Sequence, residues 1–321
     1  MNYLFIGGGG LIGTYAIREL LKEGHRVISY DLDIKDNAIH RVLTNDEFCQ
    51  VKLISGDVMD LVGILEIVRA NKIDMIVNLA AALIPQGQAH PALATKINVD
   101  GLNNVFEVAK ACQVKRVVWA SSIAVFGPQS IYSEEPGDDT FHAPVTVYGA
   151  CKSFNEFMGH HYFKQFGLDN IGLRFTVVYG PHRMRGALAY DLGVELLENP
   201  ANSKPARVPM GDTLINWQYV EDAASSVVLS LKHEGPTQTR VFNTGGDVLK
   251  VRDAADVVKK ILPEAEIEVE DGDASSGLGG VYQLSIEGAR RELGYDPKYT
   301  FETGARKSID RYRELQGLQP I

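Results

Sequence analysis

The sequence reads NYLFIGGGGLIGTYAIRELLKEGHRVISYD from Asn2 to Asp31. The stretch opens with a short apolar run, Asn2 to Ile6, which has the length and composition of a buried strand. After a glycine-rich turn, apolar residues recur at helical spacing from Leu11 to Glu23, and Gly24 then ends the helix. A second apolar run, Arg26 to Tyr30, completes a strand, a helix and a strand. This order predicts the first unit of a parallel sheet with helices on both faces.

The same alternation continues through the first half of the chain. We predict six strands, at Asn2 to Ile6, Arg26 to Tyr30, Val51 to Ser55, Met75 to Leu79, Arg116 to Ala120 and Ile171 to Phe175. The helical patterns between them lie at Leu11 to Glu23, Leu61 to Asn71, Pro91 to Cys112 and Tyr148 to Phe166. Together they predict an α/β fold with a Rossmann-type, doubly wound parallel sheet.

The pattern changes after Gly180-Pro181, where the elements become shorter and a proline-rich stretch runs from Asn199 to Pro209. We therefore predict one domain over residues 1–180 and a smaller, mainly helical lobe over residues 181–321, with some segments of the lobe returning to the first domain. The predicted elements of the lobe are helices at Ala187 to Leu197, Asp222 to Lys232, Val251 to Ile261, Ile286 to Leu293 and Phe301 to Leu315, with short strands near Val241 and Ile267.

Composition excludes several classes of protein. The chain has 321 residues, of which 45% are hydrophobic and 23% charged, and its formal net charge of -9 gives no field that would attract a nucleic acid. Cys49, Cys112 and Cys151 show no metal-ligand spacing, which favours a reducing, cytoplasmic setting. Because the sequence shows neither a leader pattern nor an apolar stretch long enough to span a bilayer, we expect no membrane association.

The glycine-rich turn is a candidate phosphate site. Gly7, Gly10 and Gly13 form G-x-x-G-x-x-G between the first strand and the first helix, where backbone N–H groups of the turn and of Leu11 and Ile12 can face a pyrophosphate. With 31 glycines in the chain, this spacing is expected by chance roughly 0.3 times. The position of the motif therefore carries more weight than the motif, and a purely structural turn is the alternative.

Acidic residues follow the second and third strands. Asp31 can accept hydrogen bonds from both hydroxyls of an adenosine ribose, and it should repel a 2′-phosphate. Asp33 adds a second negative charge, so NAD is favoured over NADP as the cofactor. Asp57 and the adjacent Val58 are assigned to the adenine end of the same site. The alternative for each acid is an ordinary solvated side chain.

Tyr148 and Lys152 are four residues apart on a predicted helix, so the ammonium can lie near the phenol. Lowering the pKa of a free phenol from about 10 to neutrality requires roughly 4 kcal/mol, and a desolvated cation can supply much of it. Ser122, preceded by Ser121, lies at the carboxyl end of a strand, where α/β sheets bind their ligands. Either serine is otherwise a residue of the turn that ends the strand.

These residues and others along the whole chain carry a family resemblance. The matching motifs are Gly7 to Gly13, Asp31, Asp57, Asn78 to Ala81, Asn98, Ser122 to Gly127, Tyr148-x-x-x-Lys152, Leu173 to Pro181, Gly211-Asp212, Tyr219 to Asp222, Phe242 to Gly246 and Ile309 to Tyr312. With them the sequence resembles the extended short-chain dehydrogenase/reductase family.

The resemblance implies a role for each matching residue. Ser122 would be the catalytic hydroxyl and Tyr148 the acid/base, and Lys152 would also hold the nicotinamide ribose. Asn98 would order the site. The remaining cofactor contacts that we assign are Leu79, Ala80, Ala81 and Phe175.

Two departures bear on the reaction. The best-known branch of the family, which epimerises or dehydrates nucleotide sugars, has an Asn at the position of Val177 and an Arg at that of Ile215, and both contact the substrate diphosphate. The motifs Ser122 to Pro128, Ala81 to Leu83 and Asp212-Thr213 look more like the branch that includes short-chain threonine dehydrogenases. We therefore predict hydride transfer between NAD and a small polar secondary alcohol or ketone. A nucleotide-sugar epimerase or dehydratase remains the alternative, since Arg183, Arg185 and Arg207 could bind phosphates.

The substrate side of the site is less defined. Arg183 is a candidate clamp for a substrate carboxylate, with an ordinary surface arginine as the alternative. Pro85 and Val177 are further candidate substrate contacts, and Trp217 either lines the mouth of the site or packs the lobe.

Three further expectations concern metals, partners and activity. We predict no metal site, because the paired His160 and His161 point about 100° apart on a helix and no other ligands complete a set. The apolar faces of the Pro91 to Cys112 and Tyr148 to Phe166 helices could pair with their copies in a homodimer, as the family implies, although core packing gives similar stripes. A third reading, a cofactor-bound regulator without activity, is disfavoured by the intact Ser122, Tyr148 and Lys152.

Overall fold

The computed structural model describes residues 1–182, 188–235, 237, 239–274 and 282–321. The strands are β1 (Asn2–Ile6), β2 (Arg26–Asp31), β3 (Val51–Ser55), β4 (Met75–Asn78), β5 (Arg116–Ser122), β6 (Asn170–Phe175), β7 (Val177–Tyr179), β8 (Ala206–Val208), β9 (Leu214–Tyr219), β10 (Val241–Asn243), β11 (Asp247–Lys250) and β12 (Ile267–Val269).

The helices complete the description. The α-helices are α1 (Leu11–Lys22), α2 (Ile39–Val42), α3 (Asn45–Phe48), α4 (Leu61–Ala70), α5 (Ile84–Ala89), α6 (Pro91–Thr95), α7 (Gly101–Ala111), α8 (Val147–Phe166), α9 (Leu188–Gly193), α10 (Asn199–Ala201), α11 (Val220–Lys232), α12 (Val251–Ile261) and α13 (Phe301–Leu315). Turns of π-helix lie at Lys96–Asp100, Val194–Glu198 and Ala289–Leu293, and turns of 3₁₀-helix at Ile123–Val125 and Gln129–Ile131.

The central sheet has seven strands in the order β10-β6-β5-β4-β1-β2-β3. Each neighbouring pair in it is parallel. The predicted α/β, Rossmann-type fold is therefore confirmed, with six strands from the first half of the chain. The seventh, β10, comes from the second half and pairs with β6.

Strand order determines where a ligand can bind. From β1 the chain runs outward to β2 and β3, then returns to β4 on the other side of β1 and continues to β5 and β6. The loops after β1 and β4 consequently diverge to opposite faces of the sheet and leave a crevice at their carboxyl ends. The glycine-rich turn follows β1, and residues Leu79 to Ala81 follow β4.

Apolar residues cover both faces of the sheet. Because strand side chains alternate, Val77 of β4 joins one core cluster with Ile17 and Leu20 of α1, whereas Ile76 joins the opposite cluster with Val105 of α7. Burial of each such side chain contributes about 1.5 to 3 kcal/mol. The sheet is thus held from both sides, and the loops at its carboxyl edge have a rigid base.

The structure also contains two small sheets that were not predicted, β11-β9-β7 and β12-β8. Of their strands, β12 matches the strand predicted near Ile267, and the others were missed. Their strands are short, and β9 reads LINWQY, which is buried on both faces and so lacks the alternation of a half-exposed strand. The division at residue 180 remains a prediction. None of the helices in the described ranges is long and apolar enough to cross a bilayer.

Candidate active site

The glycine-rich turn packs tightly everywhere except at Gly10. Gly7 adopts φ +75°, and a Cβ there would lie 2.6 Å from the backbone nitrogen of Ala80. A Cβ on Gly13 would lie 2.7 Å from the Gly8 carbonyl oxygen. At Gly10, the N-cap of α1, the nearest atom to a Cβ is the Gly7 carbonyl oxygen at 3.3 Å, with no other within 4 Å. The start of α1 is therefore open to a phosphate, as binding of a pyrophosphate requires.

Asp31 lies at the end of β2, facing this turn. Its Oδ2 accepts a hydrogen bond from the Gly9 backbone N–H at 3.0 Å. Burial raises the pKa of the Asp31 carboxyl, and hydrogen bonds from backbone N–H groups, that of Gly9 first among them, oppose the rise. Asp33 and Asp36 line the same cleft as Asp31, so a 2′-phosphate bound there would meet three acidic side chains.

The turn, Asp31 and the end of β4 enclose one cleft of about 340 Å³. Its lining includes the predicted cofactor residues Gly7, Gly10, Asp31, Asp57, Val58, Leu79, Ala80 and Ala81. Asp57 Oδ1 accepts from the Met59 backbone N–H at 2.9 Å, which orders the loop after β3. The backbone N–H groups of the turn and the Asp31 carboxylate in this lining fit the adenosine and pyrophosphate part of a dinucleotide.

A second cleft of about 250 Å³ adjoins the first, with Leu79 and Ala81 in the lining of both. It brings together the predicted residues Ile12, Pro85, Ser122, Tyr148, Phe175 and Val177. The remainder of its described lining is Leu79, Ala81, Leu83, Ile84, Ala120, Ser121, Ile123, Ala124, Thr176 and Val178. The described lining of this cleft contains no charged side chain.

Lys152 lies behind Tyr148 and is 3% exposed. Its Nζ donates to the Ala120 carbonyl oxygen at 2.6 Å and lies 5.4 Å from the centre of the Tyr148 ring. Burial lowers the pKa of Lys152 to about 8, although the nearby Cys151 and Glu156 act to raise it. Ser122 Oγ accepts from the Ala124 backbone N–H at 3.1 Å, so its own O–H can point into the cleft.

Asn98 supports the site from behind. Its side chain forms two hydrogen bonds with Ala82, accepting from the N–H at 2.9 Å and donating to the carbonyl oxygen at 3.0 Å. Asn155 of α8 donates to the Asn98 carbonyl oxygen at 2.9 Å. These contacts lie in the π-helical turn Lys96–Asp100, which interrupts the single helix that we predicted from Pro91 to Cys112.

Some predicted residues lie elsewhere. Trp217 is 2% exposed in the core, where its Nε1 donates to the Leu249 carbonyl oxygen, so the structure places it in the packing of the lobe and not in the cleft. Ile215 is also buried in that core. Arg183 and Arg185 lie outside the described residues. Leu11 is buried in the core at the start of α1, where only its backbone can serve a phosphate.

Other residues of the site were missed by the sequence analysis. Thr176 and Ile123 line the second cleft, which we call the catalytic cleft, and Asn37 lines the first, which we call the nucleotide cleft. Glu156, which is 2% exposed, follows Lys152 by four residues, just as Lys152 follows Tyr148. Extending that spacing by one turn would have found it. Within the described ranges no cluster of His, Cys, Asp or Glu could hold a metal ion.

Known proteins of two different activities resemble this chain in sequence or in fold. The sequence is 27% identical to UDP-glucuronate 4-epimerase 3 of Arabidopsis thaliana, over 95% of this chain and 75% of that one. The fold resembles UDP-glucose 4-epimerase of Thermotoga maritima, with a TM-score of 0.86, 20% identity and coverage of 98% of this chain and 100% of that one. It equally resembles L-threonine dehydrogenase of Clostridium difficile, with a TM-score of 0.85, 23% identity and 98% coverage of both chains.

The sequence profile of one family matches residues 3–245, about three quarters of the chain. The match confirms the resemblance to the extended short-chain dehydrogenases/reductases, and the cofactor of the matched family is NAD, as predicted. The chain belongs to the NAD dependent epimerase/dehydratase family.

Proposed function

We propose that this protein is an oxidoreductase that transfers a hydride between NAD and a small polar secondary alcohol or ketone. The supporting observation is the catalytic cleft, whose described lining offers the hydroxyls of Ser122 and Thr176 beside Tyr148 and no charge. A substrate diphosphate would need cationic partners. Val177 and the buried Ile215 supply none, and Arg207 forms an ion pair with Glu270. Arg183 and Arg185 lie outside the described residues, so this observation concerns the described lining alone.

In this proposal the two adjoining clefts hold the two ends of the cofactor. The turn at Gly10 would bind the pyrophosphate, with Gly7, Gly13, Leu11 and Ile12 around it, and Asp31 would bind the adenosine ribose. The adenine would lie near Asp57 and Val58, and the nicotinamide end near Leu79, Ala80, Ala81, Asn98, Phe175, Tyr148 and Lys152. When bound, NAD supplies the carbon that accepts or returns the hydride.

The proton chemistry belongs to the protein. Ser122 Oγ would donate a hydrogen bond to the substrate oxygen and fix its position. In the oxidation direction Tyr148 would act as the base that removes the hydroxyl proton. The buried ammonium of Lys152 lies 5.4 Å from the centre of the Tyr148 ring. It would stabilise the tyrosinate electrostatically, and its desolvated surroundings would strengthen that interaction.

A substrate panel tests this proposal. Purified protein with NAD and small secondary alcohols, including hydroxy acids and amino alcohols, should produce NADH absorbance. Similarity to UDP-sugar epimerases along nearly the whole chain favours the alternative, so the panel should contain UDP-glucose and UDP-glucuronate. Interconversion of a nucleotide sugar without net NADH, alongside no oxidation of any small alcohol, would replace this proposal with the alternative.

Asp31 provides a test of cofactor choice. Replacing it with serine removes the acceptor for the ribose hydroxyls and a negative charge, so KM for NAD should rise about tenfold and the preference for NAD over NADP should fall at least as much. Asp256→Ser, an equal change of charge on the exposed face of α12, is the control. An unchanged ratio of kcat/KM for the two cofactors would remove Asp31 from the ribose site.

We also propose a homodimer through α8. The apolar residues of α7 face the sheet, whereas α8 leaves Phe154 and Phe157 exposed at 45% and 68%, one turn apart. Leu93 of α6, the helix that packs beside α8, is exposed as well, so the face is apolar and can meet its own copy.

Phe157→Asp should therefore weaken dimerisation at least thirtyfold, about 2 kcal/mol, as measured by sedimentation. Phe166→Asp, which places the same charge at the exposed end of the helix, is the control. A wild-type chain that sediments as a monomer would contradict the dimer.

The cytoplasmic location, inferred from three cysteines that are free thiols, remains a prediction.

A further inference from the structure

A buried network of polar side chains lies directly beneath the catalytic cleft. At its centre is Glu156 of α8, which accepts from Arg174 twice, from Nε at 2.9 Å and from Nη2 at 2.7 Å. The Ser121 hydroxyl donates to the same carboxylate, and His142 Nε2 lies 3.1 Å from its second oxygen. Glu156 and Arg174 are each 2% exposed, so both charges are almost fully removed from water.

Ser121, Arg174 and Glu156 are each a close neighbour of a proposed site residue. Ser121 precedes Ser122 on β5, and Arg174 precedes Phe175 on β6. The two strands pair in register there, with Ser121 opposite Arg174. Glu156 lies one turn beyond Lys152 on α8. The three elements that carry the site are therefore joined at one carboxylate.

The remaining donors of Arg174 extend the connection. Its Nη1 donates to the Asp138 carbonyl oxygen at 2.9 Å and to Asn243 Oδ1 at 3.1 Å. Asn243 belongs to β10, so the network also reaches the edge strand contributed by the second half of the chain. The bidentate contact between Arg174 and Glu156 fixes both the distance and the direction between the two side chains, which a single neutral hydrogen bond does not.

We propose that Glu156 and Arg174 are the positioning pair of the active site, holding α8 against β5 and β6 so that Tyr148 and Lys152 keep their distance from Ser122. The proposal rests on the proposed function. Neither residue lines the catalytic cleft in the described structure, so neither is a catalytic residue.

The charge of Glu156 acts on Lys152 as well. Burial lowers the pKa of Lys152, and Cys151 and Glu156 oppose that change. Among the described residues, the Tyr148 ring and the Ala120 carbonyl also lie against the Lys152 ammonium. Arg174 and His142 lower the pKa of Glu156 to about 2 against the effect of burial, so Glu156 stays charged at neutral pH. Removing this charge should make Lys152 lose its proton at a lower pH.

The experiment compares Glu156→Gln with the wild type in two measurements. The first is kcat as a function of pH. In the variant kcat should be about 10- to 100-fold lower, and its decline at alkaline pH should begin at a lower pH than in the wild type. The second uses protein labelled with carbon-13 at the lysine Cε. One resonance, identified by its loss in Lys152→Met, should titrate near pH 8 in the wild type and below that in Glu156→Gln.

Asp169→Asn is the matched control. Asp169 joins Arg116 and Arg240 at the opposite end of the same strands, so the variant also breaks part-buried ion pairs, here at the start of β5, β6 and β10. It should lower the melting temperature without moving the titration of Lys152. Arg174→Lys keeps the charge and loses the two-pronged contact, so it should lower kcat and leave the titration near its wild-type position, and it provides the test if Glu156→Gln does not fold.

The outcomes separate the two proposals. If kcat falls no further in Glu156→Gln and Arg174→Lys than in Asp169→Asn, or if the lysine titration does not move in Glu156→Gln, the positioning pair is rejected. The titration requires no substrate. If it moves as expected while the wild type turns over no compound of the alcohol panel, the proposed substrate class fails and the electrostatic link stands.

Discussion

Replacing Tyr148 with phenylalanine is expected to lower kcat for the proposed oxidation about a thousandfold, with little change in NAD affinity. The phenol is the group in the described lining of the catalytic cleft that is placed to exchange a proton with the substrate, and general acid/base catalysis contributes about 10²- to 10⁴-fold to rate. The ring itself, 8% exposed, keeps its packing in the variant. Steady-state kinetics with the best substrate of the panel, together with a fluorescence titration of NADH, measures both quantities.

Tyr162→Phe is the control for this variant. Tyr162 lies on the same helix, is buried, and donates its hydroxyl proton to Glu107 at 2.6 Å, far along α8 from the cleft. Its loss should cost about 1 kcal/mol of folding stability and leave kcat unchanged. Retention of more than about a tenth of kcat by Tyr148→Phe would rule out Tyr148 as the general base.

The second large effect is expected at Lys152. Lys152→Met keeps most of the volume of the side chain and removes the ammonium, so kcat should fall about 100-fold or more because the tyrosinate loses its electrostatic partner. KM for NAD should rise as well, since the same ammonium is assigned to the nicotinamide ribose. The Ala120 carbonyl oxygen, which accepts from Nζ at 2.6 Å, loses its donor. Thermal unfolding measures the consequence for stability.

Lys164→Met tests whether any lysine of the helix would have the same effect. Lys164 is exposed near the end of α8, and its loss should leave both constants unchanged. A kcat within threefold of wild type in Lys152→Met would mean that the ammonium takes no part in catalysis, and the role of Tyr148 would then require another source of stabilisation.

The sequence pattern predicted the first half of the fold closely. β1 and β3 have the predicted bounds, and the ends of the other four strands shift by at most two residues. Local signals suffice there, because each strand is a short apolar run between a helix and a turn residue. The same locality placed Ser122, Tyr148 and Val177 around one cleft, since parallel strands bring their carboxyl ends to one edge of the sheet.

Tertiary context decided what the pattern missed. The π-helical turn at Lys96–Asp100 has no local signature, because the backbone deviates there to let Asn98 bond to Ala82 in a distant loop. From the sequence, Trp217 could equally have lined a pocket or filled a core. Its neighbours place it in the core, since its ring centre lies 5.0 Å from that of Phe301. In the Glu156 network, the hydrogen bond from Arg174 to Asn243 alone spans 69 positions, and no spacing rule connects such residues.

Strand β10 bears on how the chain is synthesised. β6 ends at Phe175, yet its outer neighbour begins only at Val241, so the ribosome adds more than 60 residues before that edge can be covered. Until then the backbone N–H and C=O groups along one side of β6 have no partner, and exposed edges of this kind invite pairing between nascent chains. The first half of the polypeptide thus encodes the nucleotide-binding motifs but depends on the second half to finish and protect its sheet.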